Sequence, residues 1–104
     1  MELLTKEIRD KFKKVGSQEK KEPGEQIVIV KFFDPTGSWT WYATEFDGED
    51  TFFGLVDGFE LEWGPFRLSE LKSIKGPLGL GIERDLYFGM PMIKDISSIK
   101  DRVA

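Results

Sequence analysis

The chain has 104 residues, a formal net charge of −4, 33% charged and 13% aromatic residues, and neither cysteine nor histidine. That length suits one domain and is too short for two separate cores. Without cysteine or histidine there is no disulfide framework, no thiolate nucleophile, and no zinc or haem site of the usual ligand set.

The opening residues, Met1-Glu2-Leu3-Leu4-Thr5-Lys6-Glu7, turn charged at once and lack the apolar stretch of a signal peptide. The longest apolar runs, Ile27 to Val30 and Leu78 to Ile82, fall far short of the roughly 20 residues that span a bilayer. The expectation is a soluble, cytoplasmic protein with no membrane segment. Charge is distributed unevenly. Between residues 27 and 70, Asp34, Glu45, Asp47, Glu49, Asp50, Asp57, Glu60, Glu62 and Glu70 are set against Lys31 and Arg67 alone. Such an acidic centre repels phosphates and disfavours a nucleic-acid partner.

Thr5 reads as a helix N-cap, Ile8, Phe12 and Val15 recur at helical spacing, and Gly16 supplies a stop. Lys6, Arg9 and Lys13 then form a solvated basic face. Residues 16 to 26 are polar, lack periodicity and predict a mobile loop. Gln26 to Phe33 is β-branched and aromatic, as in a strand buried on both faces or nearly so, and Asp34-Pro35-Thr36-Gly37 has turn chemistry.

Ser38 to Phe46 alternates cleanly, placing Trp39, Trp41 and Ala43 opposite Thr40, Tyr42 and Thr44. Asp47-Gly48-Glu49-Asp50 turns the chain into a third strand, Thr51 to Val56, and Asp57-Gly58 turns it again. Phe59, Leu61 and Trp63 alternate with Glu60 and Glu62 in a fourth strand whose acids meet water. Ser69 opens a short helix closed by Gly76-Pro77. Residues 77 to 81 form a loop and Ile82 to Phe88 an extended segment. Ile93, Ile96, Ile99 and Val103 suggest a short amphipathic closing helix. The fold class is α+β: one domain, residues 1–104, built on an antiparallel meander of four to five strands with an N-terminal helix and one or two short helices.

Catalytic signals are weak. The acidic turn 47–50 offers carboxylates to a hard cation, but its spacing departs from a calcium-binding loop. Paired acids such as Glu45 and Glu62 need a desolvated cleft to act as acid and base, and neither Ser38 nor Ser69 has a base beside it. Trp39, Trp41, Tyr42, Phe52 and Phe53 could stack nucleobases, yet a domain this small needs aromatic bulk inside. Arg84 between Glu83 and Asp85 reads either as a structural clamp or as a recognition arginine. No catalytic residue, metal ligand or cofactor is assigned.

The segments Met1 to Glu7, Val30-Lys31-Phe32-Phe33, Ser38-Trp39-Thr40-Trp41-Tyr42-Ala43-Thr44-Glu45, Gly76-Pro77-Leu78-Gly79-Leu80 and Ile82 to Phe88 resemble the bacterial family called domain of unknown function 2958. The likeness runs from the first residues to about Phe88. It implies a complete, small, stand-alone protein of the kind carried on plasmids, integrative elements and phages. Accessory roles follow from that setting, such as modulating host defence or maintaining the element. The resemblance brings no activity and no site residue.

The reading reached is a non-enzymatic protein-interaction module that docks on another protein through a face or edge of its sheet. Tyr42, Arg84 and Tyr87 are the candidate contacts, with Glu83 and Asp85 orienting the arginine. The partner is expected to be a protein, in one version a DNA-binding protein whose site an acidic surface would occupy. One alternative is a metal-dependent hydrolase using Glu45, Asp47, Glu49 and Asp50. Another is a nucleic-acid binder using the lysine-rich first helix.

Overall fold

Thr5 opens the first helix as its sequence demands: its hydroxyl accepts the Ile8 N–H at 3.2 Å, satisfying one of the free donors of the first turn. Helix α1 spans Lys6–Val15 and buries Ile8 and Phe12. It ends at Gly16, whose φ of +71° is disfavoured for any residue with a Cβ. A computed structural model describes residues 1–99, 101 and 102 of the chain.

Strands β1 (Val30–Phe33), β2 (Thr40–Phe46), β3 (Thr51–Asp57) and β4 (Leu61–Arg67) follow one another through short turns, and β5 (Glu83–Arg84) returns beside β1. The sheet is antiparallel with order β4-β3-β2-β1-β5. A short helix, α2 (Leu68–Ser73), leaves the end of β4. The α+β class and the antiparallel meander expected from the sequence are those of the structure. Several expected strand residues lie outside the strands: Gln26 to Ile29 precede β1, Ser38 and Trp39 precede β2, Asp85 to Phe88 follow β5, and Phe59 sits almost fully exposed in the Asp57–Glu60 turn, so that β4 begins only at Leu61.

Alternation along the strands sends apolar residues to both faces. On one face Phe32, Trp41, Ala43, Phe52 and Phe66 pack under α1 and α2, joined by Ile8, Phe12, Leu68 and Leu71. On the other, Tyr42 and Leu55 pack with Val28, Ile93, Ile96 and Ile99. Both faces of the sheet are therefore covered, the second of them by the C-terminal segment, while Glu60 and Glu62 remain exposed as expected.

That segment is not the amphipathic α-helix its isoleucines suggested. It has a 3-10 turn at Ile93–Asp95, and its amides bond three residues back, Ile96 to Ile93, Ile99 to Ile96 and Arg102 to Ile99. Ile96 is extended (φ −86°, ψ 109°) and breaks the helix between successive turns, and all three isoleucines join the same core cluster. Val103 lies outside the described residues. Among the described residues, no helix is long and apolar enough to cross a membrane.

The loop expected to be mobile is pinned by Gln18. Strand β2 carries a bulge between Ala43 and Glu45, which leaves Thr44 without a ladder partner. The fully buried Gln18 amide donates to Thr44 O at 2.8 Å and to Ile27 O at 2.9 Å. Its Oε1 accepts from Ile27 N–H at 2.6 Å and from the Lys21 ammonium at 3.2 Å. One side chain thus closes the bulge and holds the entry to β1. Replacing Gln18 by alanine leaves buried backbone groups unpaired and is expected to cost about 2–4 kcal/mol. Urea melts of the two proteins measure this; a loss below about 0.5 kcal/mol would show the pin to be dispensable.

Candidate functional site

The candidate residues do not gather in one place. Tyr42 is 3% exposed, its ring 6.1 Å from that of Phe88 in the second core. It is corrected from a surface contact to a core residue, for the reason that the C-terminal segment closes its face. The other four, Glu83, Arg84, Asp85 and Tyr87, lie together on and after β5, the short edge strand.

The acids flanking Arg84 do not orient it. Successive side chains of a strand point to opposite faces, and the three residues part accordingly. The Arg84 guanidinium donates to the Glu2 carbonyl at 2.8 Å, fastening the N-terminal segment. Asp85 turns to the other side, 3.7 Å from the Lys31 ammonium, which also sits 5.4 Å from the Phe88 ring centre. Asp85 also accepts the Tyr87 N–H at 2.9 Å, and this turn throws the Tyr87 ring outward, 94% exposed.

Among the described residues, no strand pairs with the outer side of β5. The Asp85 N–H reaches Lys31 O across the ladder at 3.0 Å, so the Arg84 N–H points away from β1, where it meets only the Met1 thioether at 3.0 Å. A hollow of about 320 Å³ lies here between Met1, Phe33, Arg84 and Tyr87. A second of about 480 Å³ shares Met1 and Glu83 with it and continues to Leu80.

Large apolar side chains stand out along this edge, Met1, Leu80, Leu86 and Tyr87, and Leu78 is exposed in the loop before it. Leu78 also adopts φ +65°, a left-handed conformation that costs a branched residue roughly 1 kcal/mol. The sequence reading missed Met1, Leu78, Leu80 and Leu86. Their signal was apolar residues in a glycine-rich loop with no period that could bury them.

Elsewhere the carboxylates serve the backbone. Asp47 accepts the N–H groups of Glu49, Asp50 and Thr51 at 2.8 to 3.1 Å, and these bonds, that of Glu49 foremost, lower its pKa. Asp50 caps α2 from outside, accepting the Ser69 hydroxyl at 2.6 Å and its N–H at 2.9 Å. The hydroxyl bond first and the amide bond second hold Asp50 below its ordinary value. The helix thus begins at Leu68, before Ser69. Glu45 accepts the Gln18 N–H at 3.3 Å. Among the described residues, no three acids cluster closely enough to share an ion. On α1, Lys6 and Lys11 pair with Asp10 and Glu7, while Arg9 reaches Gly48 O, so part of that basic face is already matched.

These features define an α+β fold with a five-stranded antiparallel sheet, covered on both faces, with Met1, Leu86 and Tyr87 exposed at the β5 edge and Phe59 at the β3–β4 turn. A family model described as "Protein of unknown function (DUF2958)" matches residues 3–99, and the chain belongs to that family. The match continues past Phe88 through the C-terminal isoleucines. No curated protein and no solved structure matches the chain.

Asp50→Ala removes the cap of α2 and is expected to lower the melting temperature by a few degrees. Because folding lowers the Asp50 pKa, its contribution is complete above the ordinary value of 3.8 and is lost as pH falls through the lower folded-state value. Melting curves of both proteins across that range should converge at the acid end. A difference that stays constant to low pH would show that the ionised carboxylate contributes nothing.

Proposed function

We propose that this chain is a non-enzymatic protein-interaction module that takes up an extended segment of another protein along its β5 edge. The supporting observation is the exposed apolar group of Met1, Leu86 and Tyr87 beside a strand whose outward amide meets only a thioether. Strand addition supplies main-chain hydrogen bonds to such an edge, and neighbouring apolar pockets supply selectivity. Covering a large apolar side chain is worth roughly 1.5–3 kcal/mol, and aromatic residues commonly anchor such contacts. The engagement of Asp47, Asp50 and Glu45 by backbone groups favours docking over metal-assisted hydrolysis. Arg84 is assigned a positioning role, holding Met1 and Glu2 beside the edge. The proposed setting is the bacterial cytoplasm, in an accessory role to a plasmid, integrative element or phage, which the likeness of its motifs to such proteins supports.

The test compares capture from bacterial lysate by tagged wild type and by the double variant Leu86→Ser, Tyr87→Ser, with melting curves to establish that both fold. Wild type is expected to retain a specific protein whose capture by the variant falls about tenfold or more. No specific partner, or equal capture by a folded variant, would contradict the proposal.

A further inference from the structure

The opposite edge of the sheet carries a different chemistry. A cleft of about 510 Å³ opens there between β4 and α2, within the usual range for ligand sites. Trp39, Trp41, Phe66 and Leu71 line it, with Glu62 and Glu70 exposed among them, and among the described residues no lysine or arginine contributes to its wall. Neither carboxylate joins an ion pair among the described residues. Glu70 accepts the Arg67 N–H at 3.1 Å through one oxygen.

Gly64 keeps this cleft open. Its row of the sheet, Val30–Ala43–Gly54–Gly64, faces the helices. A Cβ on Gly54 would run into the Tyr42 carbonyl, so glycine is required there for space, whereas a Cβ on Gly64 would meet nothing within 4 Å. Gly64 is not among the glycines with positive φ. Neither crowding nor backbone conformation calls for glycine at this position. What its missing side chain leaves is the cleft.

We infer that this cleft binds an arginine side chain presented by an extended segment of a partner protein lying along β4. Indole faces attract cations through the ring quadrupole, and two carboxylates without cationic partners add a negative field that no basic residue of the wall offsets. A planar guanidinium meets both demands, stacking on a ring and donating to carboxylates in its own plane. A neutral ligand would leave the acids without a partner, and an anion would be repelled. The segment is a peptide because the cleft runs beside a free strand edge. A strand paired to β4 would place alternate side chains, roughly 7 Å apart, over the same face. Among the described residues, this site shares with the hollows of the β5 edge only the buried core residue Leu71, which neither test alters, and each assignment stands or falls alone.

The test is a titration followed by intrinsic tryptophan fluorescence, which Trp39 and Trp41 report from within the cleft. The probe is an acetylated pentapeptide with one central arginine between threonines. The matched control carries citrulline, which keeps the shape and loses the charge. Saturable binding of the arginine peptide is expected, with the citrulline peptide roughly tenfold weaker. Binding should weaken with added salt. Gly64→Leu, which fills open space, should melt no lower than wild type and lose at least about tenfold in affinity. Glu62→Gln keeps the cleft's shape and should weaken the arginine peptide several-fold while leaving the citrulline peptide unchanged. No saturable change at millimolar peptide, equal affinity for citrulline, or full affinity in both variants would overturn the site. Equal affinity for free arginine amide would overturn its assignment to a peptide.

Discussion

The constraint on which this molecule depends is that its sheet is apolar on both faces and must be covered twice. Helices α1 and α2 cover one face through Ile8, Phe12, Leu68 and Leu71. The other face, with Tyr42 and Leu55, is covered by three isoleucines on a 3-10 turn and the turns that follow it. Meanders often leave one face to water. Here that would expose a tyrosine, a leucine and much of Val28, so the C-terminal segment is part of the core. With both faces occupied, the recognition proposed above falls to the two edges.

Those edges are handled differently. An unpaired strand edge is an invitation to other chains, and proteins blunt it by shortness, proline or charge. Strand β5 is two residues long and carries alternating charge, and β4 includes Pro65, which lacks a donor. Neither device hides the apolar residues beside it: Leu86 and Tyr87 stand at one edge and Phe59 at the β3–β4 turn near the other. The acids, meanwhile, are divided between two tasks. Asp47 and Asp50 hold turns and a helix end through backbone amides, whereas Glu62 stays exposed over an aromatic cleft. Abundant negative charge in the middle of the sequence is therefore neither a single surface nor a metal site.

Much of the fold was legible because it is local. Thr5, Gly16 and the Ile8–Phe12 spacing mark α1, and turn residues at 34–37, 47–50 and 57–58 divide the meander. The misses share one cause: long-range pairing. Gln18 sits in a stretch with no pattern, and its role depends on a bulge in a strand about 26 residues later. Asp50 caps a helix 19 residues away. Tyr42 lies on the face that alternation assigned to it, but nothing local says that Ile93 and Ile99 return to cover it. The charged triplet 83–85 was recognisable as unusual. Its parting to two faces follows from strand geometry once β5 is known, whereas Leu86 and Leu78 drew no notice because exposure of an apolar residue has no sequence period.

Amide hydrogen exchange at Val28 and Ile93 tests most directly whether the second face is closed. These groups tie the C-terminal segment to the chain before β1, Val28 donating to Pro91 O at 2.9 Å and Ile93 to Gln26 O at 3.0 Å. If the sheet is sealed on both sides, both amides should exchange as slowly as Leu55 in the central strand β3, at the rate of global unfolding. Exchange of Val28 and Ile93 within seconds, with Leu55 still protected, would show that face open, expose Tyr42 and return the search for a docking surface to it.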